Sequence, residues 1–118
     1  MALKLQLSSA QGSSVMYHHC HHTAEPIQLY NGDEQVLVVM DSRVFAKAYG
    51  NETNHYDMHN IFQDEGMDAY ISAAQIRKTV DLIPICNQAE MPIIVKKYGW
   101  DIVVAMSPAE YEKRQHRF

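Results

Sequence analysis

The densest group of side chains capable of chemistry is His18-His19-Cys20-His21-His22. On a helix, His18 and His22 stand one turn apart on the same face, a spacing at which two imidazoles can hold zinc or nickel. His55 and His59 repeat that spacing. Four imidazoles would close a tetrahedral site if the segment carrying the second pair folded back onto the first. The plainer reading is a surface run of neutral histidines, because ligand spacing without a converging fold does not make a site. No cofactor is therefore expected, and zinc is the ion the pattern would suit. Cys20 and Cys86 are the only thiols. Neither has a neighbouring Lys or Arg to hold a thiolate, so both read as buried free cysteines. Catalysis finds no footing. The chain has no phosphate-cradling glycine loop and no nucleophile elbow. Asp57 and His59 could be written as a dyad, but no nucleophile accompanies them. An enzyme is not expected.

The remaining candidates are contacts. Arg77-Lys78 and Lys96-Lys97 are paired cations suited to phosphate oxygens. Tyr98 and Trp100 flank Gly99 at an expected hairpin tip beside Lys96-Lys97, where aromatics either pack on their own sheet, the reading we favour, or meet a partner or nucleic acid. Residues 51–68 carry Glu52, Asp57, Asp64, Glu65 and Asp68 with no Lys or Arg, an acidic connector beside a mildly basic second half. Asp57, Asp64 and Glu65 join Tyr98 and Trp100 as candidate contacts for a protein partner.

Positioning these groups requires two copies of one short plan. A shift of 66 positions pairs Pro26 with Pro92, Ile27 with Ile93, Val38 with Val104, Met40 with Met106, Phe45 with Tyr111 and Cys20 with Cys86. Self-similarity of this kind decides how many units must be explained. Each unit opens on a short strand: Leu3, Leu5 and Leu7 alternate with other residues, and Tyr70-Ile71 stands before the second unit. The strings Ser8-Ser9-Ala10-Gln11 and Ser72-Ala73-Ala74-Gln75 have capping-box form, at an offset of 64. The spacing predicts a helix over about 73–87, stopped or kinked near its end by Pro84. Its first-unit counterpart is read as about two residues longer and as a poorer helix former around Gly12-Ser13-Ser14. Hairpins follow over 26–40 and 92–106, turning at Asn31-Gly32 and Tyr98-Gly99. The continuous apolar run at 36–40 predicts a strand covered on both faces. Asp41 and Ser107 are expected to cap a last helix in each unit, Ser107 with Pro108 at the first helical position.

The segment over 70–112 resembles the Phd/YefM family of antitoxins. The matching residues are Ile71-Ser72-Ala73, Arg77-Lys78, Pro92-Ile93-Ile94-Val95, Gly99 and Ile102-Val103-Val104-Ala105-Met106-Ser107-Pro108-Ala109-Glu110-Tyr111. The resemblance implies an α+β fold of two fused Phd/YefM-like β-α-β-β-α units. These form a pseudo-dimer around a shared sheet, with a degenerate unit at 1–50, the connector at 51–68 and the closer match at 69–118. It also implies operator DNA binding, with Arg77 and Lys78 as the contacts, and neutralisation of a protein toxin; Lys96 and Lys97 are read beside them as further candidate DNA contacts. The first unit has Gly12 and Ser13 where the second has basic residues. Past Tyr111-Glu112-Lys113 only about one turn of chain remains, so the expected toxin contact is the fused body or the connector rather than a tail.

Hydrophobic residues make up 47% of 118, enough for a core, at a net charge of −4. There is no apolar run of membrane-spanning length, no secretory start and no disulfide framework, so the expected location is cytoplasmic without a membrane partner. The expected function is a non-enzymatic, antitoxin-like regulator that binds a protein partner and DNA. It would act as a monomeric pseudo-dimer or as a homodimer. The alternative is a small phage- or mobile-element-encoded inhibitor of a host or defence protein, acting by surface binding.

Overall fold

Period-two burial builds the sheet. In the computed structural model, which describes residues 3–49, 70–98 and 100–115, β2 (Ile27–Asn31) and β3 (Glu34–Asp41) form an antiparallel hairpin. Ile27, Leu29, Leu37 and Val39 face one layer, while Val38 and Met40 face the other. The apolar run at 36–40 is thus covered on both sides, as its composition predicts. β1 (Leu3–Gln6) lies parallel to β2. The second half repeats the arrangement with β4 (Tyr70–Ser72) parallel to β5 (Ile93–Lys97), and β5 antiparallel to β6 (Trp100–Met106). β3 and β6 then pair antiparallel, giving one mixed six-stranded sheet in the order β1-β2-β3-β6-β5-β4.

Four helices among the described residues cover this sheet: α1 (Ser13–His21), α2 (Ser42–Tyr49), α3 (Leu82–Ala89) and α4 (Pro108–Gln115). One apolar cluster joins α1 and α3 to one sheet face, and another joins α2 and α4 to the opposite face. None of these helices is long and apolar enough to cross a membrane. The chain is therefore α+β in three layers, with helices on both faces of a largely antiparallel sheet.

The two halves obey one register. A shift of 66 carries β2 onto β5, α2 onto α4, and the bulge between Leu29 and Tyr30 onto the one between Val95 and Lys96. Val39 pairs with its own twin, Ala105, and the neighbouring pairs Val38–Met106 and Met40–Val104 exchange twins around it. The same shift holds at the helical layer. Gly12 makes an antiparallel bridge to its twin Lys78. Ser13 N–H donates to the Arg77 carbonyl at 3.2 Å, and Thr79 N–H donates to the Gln11 carbonyl at 2.8 Å. The hydroxyls of Ser13 and Thr79 cross the join reciprocally to the carbonyls of Ile76 and Ala10.

That register corrects the offset of 64 expected from the capping-box strings. Both strings instead overlap short 3-10 turns, Leu7–Ala10 and Ala73–Gln75, which 66 superposes. The long helix expected over 73–87 is also corrected. The chain is extended at Ile76, bridges at Lys78 and re-enters a 3-10 turn at Thr79–Asp81 before α3 begins at Leu82. The backbone groups at 77 and 79 are used across the join, so they cannot serve a continuous helix. Pro84 consequently falls in the first turn of α3, where a missing N–H costs nothing. α1 is a regular helix despite Gly12-Ser13-Ser14, because burial of Met16 and Cys20 outweighs weak propensity.

Candidate functional site

Three places bring candidate residues together. The first is the β5–β6 tip. Gly32 closes the first hairpin at φ +68°, and its twin in the second hairpin is Tyr98, at φ +54°. The turn chemistry expected at Tyr98-Gly99 is therefore inverted, with the aromatic residue taking the left-handed position. A bulky L-residue there is strained by about 1–2 kcal/mol. The first tip is also pinned, since Gln6 Nε2 donates to the Gly32 carbonyl and its Oε1 accepts the Gly32 N–H, both at 3.0 Å. The Gln6 twin is Ser72, whose short side chain instead accepts from Ala74 N–H at 3.3 Å.

Tyr98 is 91% exposed and Trp100 is 76% exposed. This overturns the expectation that the tip aromatics pack on their own sheet, for a geometric reason. Trp100 lies opposite Lys97 at the last pair of the ladder, and Tyr98 stands in the turn beyond it at positive φ. Lys97 Nζ stands 5.8 Å from the Tyr98 ring centroid, and Lys96 Nζ stands 4.8 Å from that of Tyr70. Lys97, read as a DNA contact, and Tyr98 and Trp100, read as protein contacts, thus stand together at the tip, with Lys96, the other cation read as a DNA contact, one residue back on β5. Replacing Tyr98 with Gly should raise folding stability by about 1 kcal/mol, the released strain less the extra backbone entropy of glycine. A higher urea midpoint at unchanged slope is the expected observation.

The second place is the join between halves. Asp81 Oδ2 accepts the backbone N–H groups of Arg77 at 3.3 Å and Lys78 at 3.1 Å, and both side chains are exposed. The backbone under the basic pair is thereby fixed on both sides, by Asp81 and by the bridge to Gly12. Their twins by register are Gln11 and Gly12, so the opposite half presents no cation at the corresponding point.

The third place is an open cleft of about 1040 Å³ between the end of α1 and the start of α2, lined in part by His21, His22, Thr23, Asp41, Arg43 and Lys47. His21 Nδ1 lies 2.6 Å from Asp41 Oδ2, and Arg43 donates to Asp41 Oδ1 through its backbone N–H at 2.8 Å and its Nε at 3.0 Å. Asp41 is 2% exposed. Burial alone would raise its carboxyl, but the hydrogen bonds from Arg43 and His21 outweigh that and hold it below the ordinary carboxylate range. Its role as the cap of α2 matches the sequence expectation. A carboxylate with a lowered folded pKa contributes stability that is complete above its unfolded value near 3.9 and is lost as pH falls through the folded value. Asp41→Asn should therefore flatten the fall in melting temperature between pH 5 and pH 3 relative to the unchanged protein.

A thiolate–imidazole reading of this cleft fails on Cys20. Burial, with the Asp41 charge as a second cause, pushes its thiol up to about 12. Cys86 is pushed up to about 12 by burial, and both cysteines are free core residues. His18 and His22 do come together at the C-terminal end of α1, with ring centroids 4.4 Å apart. Among the described residues, however, no three His, Cys, Asp or Glu groups could jointly hold a metal ion. His55, His59, Asp57, Asp64 and Glu65 lie outside the described residues. The sequence carried one unused signal for the tip: aligning the two turns by 66 sets Asn31, Gly32 and Glu34 against Lys97, Tyr98 and Trp100.

Fold and surface together define a three-layer α+β protein with exposed aromatic rings at its second hairpin tip. No family model, curated protein or solved structure matches this chain.

Proposed function

We propose that the chain is a non-enzymatic, antitoxin-like regulator built as two fused Phd/YefM-like units in a pseudo-dimer. It binds a protein partner and operator DNA. The observation that carries this reading is the common register of the two halves: each runs strand, helix, hairpin, helix, and the halves meet at self-paired positions in both the sheet and the helical layer. That is the arrangement expected when a two-chain assembly is joined into one polypeptide. Arg77 and Lys78, exposed on a backbone fixed at the join, supply phosphate contacts of the positioning kind.

The DNA part is tested by mobility shift on a duplex spanning the region upstream of the protein's own gene. Two lost phosphate contacts in Arg77→Ala/Lys78→Ala should weaken binding to all sequences and reduce the salt slope by about 1.8. Absence of salt-dependent binding by the unmutated protein would refute this part. The partner is tested by co-expression with the product of the adjoining gene. A stable complex and restored growth are expected, and free, separately migrating proteins would count against an antitoxin.

One observation favours the second reading, a small inhibitor of a host or defence protein acting by surface binding. The cations at 77 and 78 face no cationic twin, and a palindromic operator calls for the same grip twice.

A further inference from the structure

We infer that the β5–β6 hairpin tip is a stacking platform for single-stranded nucleic acid, with Tyr98 and Trp100 receiving bases and Lys96 and Lys97 meeting the backbone phosphates. This does not rest on the antitoxin-like reading. The argument begins with the company the aromatics keep. Exposed rings at protein–protein contacts are usually set among other apolar groups, and lysine is depleted there. Here Lys97 lies opposite Trp100 in the ladder, and its ammonium stands 5.8 Å from the Tyr98 ring, so a cation accompanies the exposed rings. Rings for base faces beside cations for phosphates is the composition of single-strand sites. A duplex would leave the rings idle, since its base faces are already stacked. With a net charge of −4 the chain as a whole does not attract a polyanion, so the attraction has to be local.

The first hairpin provides an internal control. At the same backbone positions it carries Asn31, Gly32 and Glu34. That turn carries no backbone strain, because a glycine takes φ +68° at no steric cost. The second tip instead holds Tyr98 at φ +54° with its ring almost wholly in solvent. Strain without burial in return is the pattern of a functional position.

Trp100 is the only tryptophan, so its fluorescence reports on this tip alone. The full chain is titrated at low salt with a 20-nucleotide oligothymidylate, the matching oligouridylate, a duplex of equal length and poly-L-glutamate. Fluorescein anisotropy follows the labelled nucleic acids in parallel. Single strands should quench Trp100 and bind with a salt slope of about −1.4, for two phosphates neutralised on a single strand. Trp100→Ala should weaken binding roughly tenfold or more. The triple change Lys97→Asn, Tyr98→Gly and Trp100→Glu, which writes the first tip onto the second, should fold with an undiminished melting temperature and lose measurable binding. The ratio of the two oligonucleotide affinities tells DNA from RNA. Three results would each overturn the proposal: no quenching by either single strand, quenching by polyglutamate alone (an acidic protein partner), or equal binding by the triple variant (a site elsewhere on the chain). Duplex binding with the same quenching as single strands would overturn the stacking role.

Discussion

Arg114→Ala should destabilise the fold by about 3–5 kcal/mol, the usual cost of leaving one member of a buried ion pair without the other. Arg114 and Glu110 sit one helical turn apart on α4, with side chains 5% and 8% exposed, and Arg114 Nε donates to Glu110 Oε1 at 3.0 Å. The guanidinium also stands 5.7 Å from the Phe45 ring, which ties α4 to α2 across the second core layer. Lys113 Nζ is 3.9 Å from Glu110 but largely in solvent, so it offsets only part of the charge left behind. Replacing both partners with shape-matched neutral residues, Glu110→Gln with Arg114→Met, should recover most of the loss. A chemical-denaturation cycle of the two single variants and the double variant measures this directly. Additive losses would show that the pair is not coupled.

Leu37→Ala is expected to cost about 2–5 kcal/mol, and the cost should be felt in both halves. Leu37 is fully buried in the α1/α3 layer, in one cluster that also contains Val103, Ala105, Leu82 and Cys86 from the other half. β3 and β6 are adjacent in the sheet, so neither half closes its apolar face without the other. A cavity beside Leu37 should therefore loosen the backbone hydrogen bonds of β5 and β6 as well as those of β2 and β3. Native-state hydrogen exchange should show amides at 103–105 speeding up with those at 37–39, within a single cooperative unfolding transition. Faster exchange confined to residues 3–49 would mean that the halves open independently.

Two features of this protein were fixed by local chemistry and so were open to reading from the residues. The continuous apolar runs at 36–40 and 102–106, and the turn residues between the strands, mark the hairpins, because a strand covered on both faces must be apolar throughout. Asp41 and Ser107 cap the last helices where expected, since a cap needs only the three residues that follow it.

What the residues alone did not decide depended on partners distant in the chain. The helix expected over 73–87 was shortened because backbone groups at 77 and 79 pair with Ser13 and Gln11 in the other half. The tip aromatics were placed in solvent by where the ladder ends and by the positive φ at Tyr98, neither of which composition records. Cys20 lies one residue from His21, yet one side chain enters the core and the other reaches Asp41, at the end of the first hairpin. Sequence alone set the elements and their repetition, because hydrophobic period, turn chemistry and capping act over a few residues. Tertiary structure decided where the halves join and which groups stay exposed, because those outcomes depend on which buried surfaces and backbone bonds meet across the join.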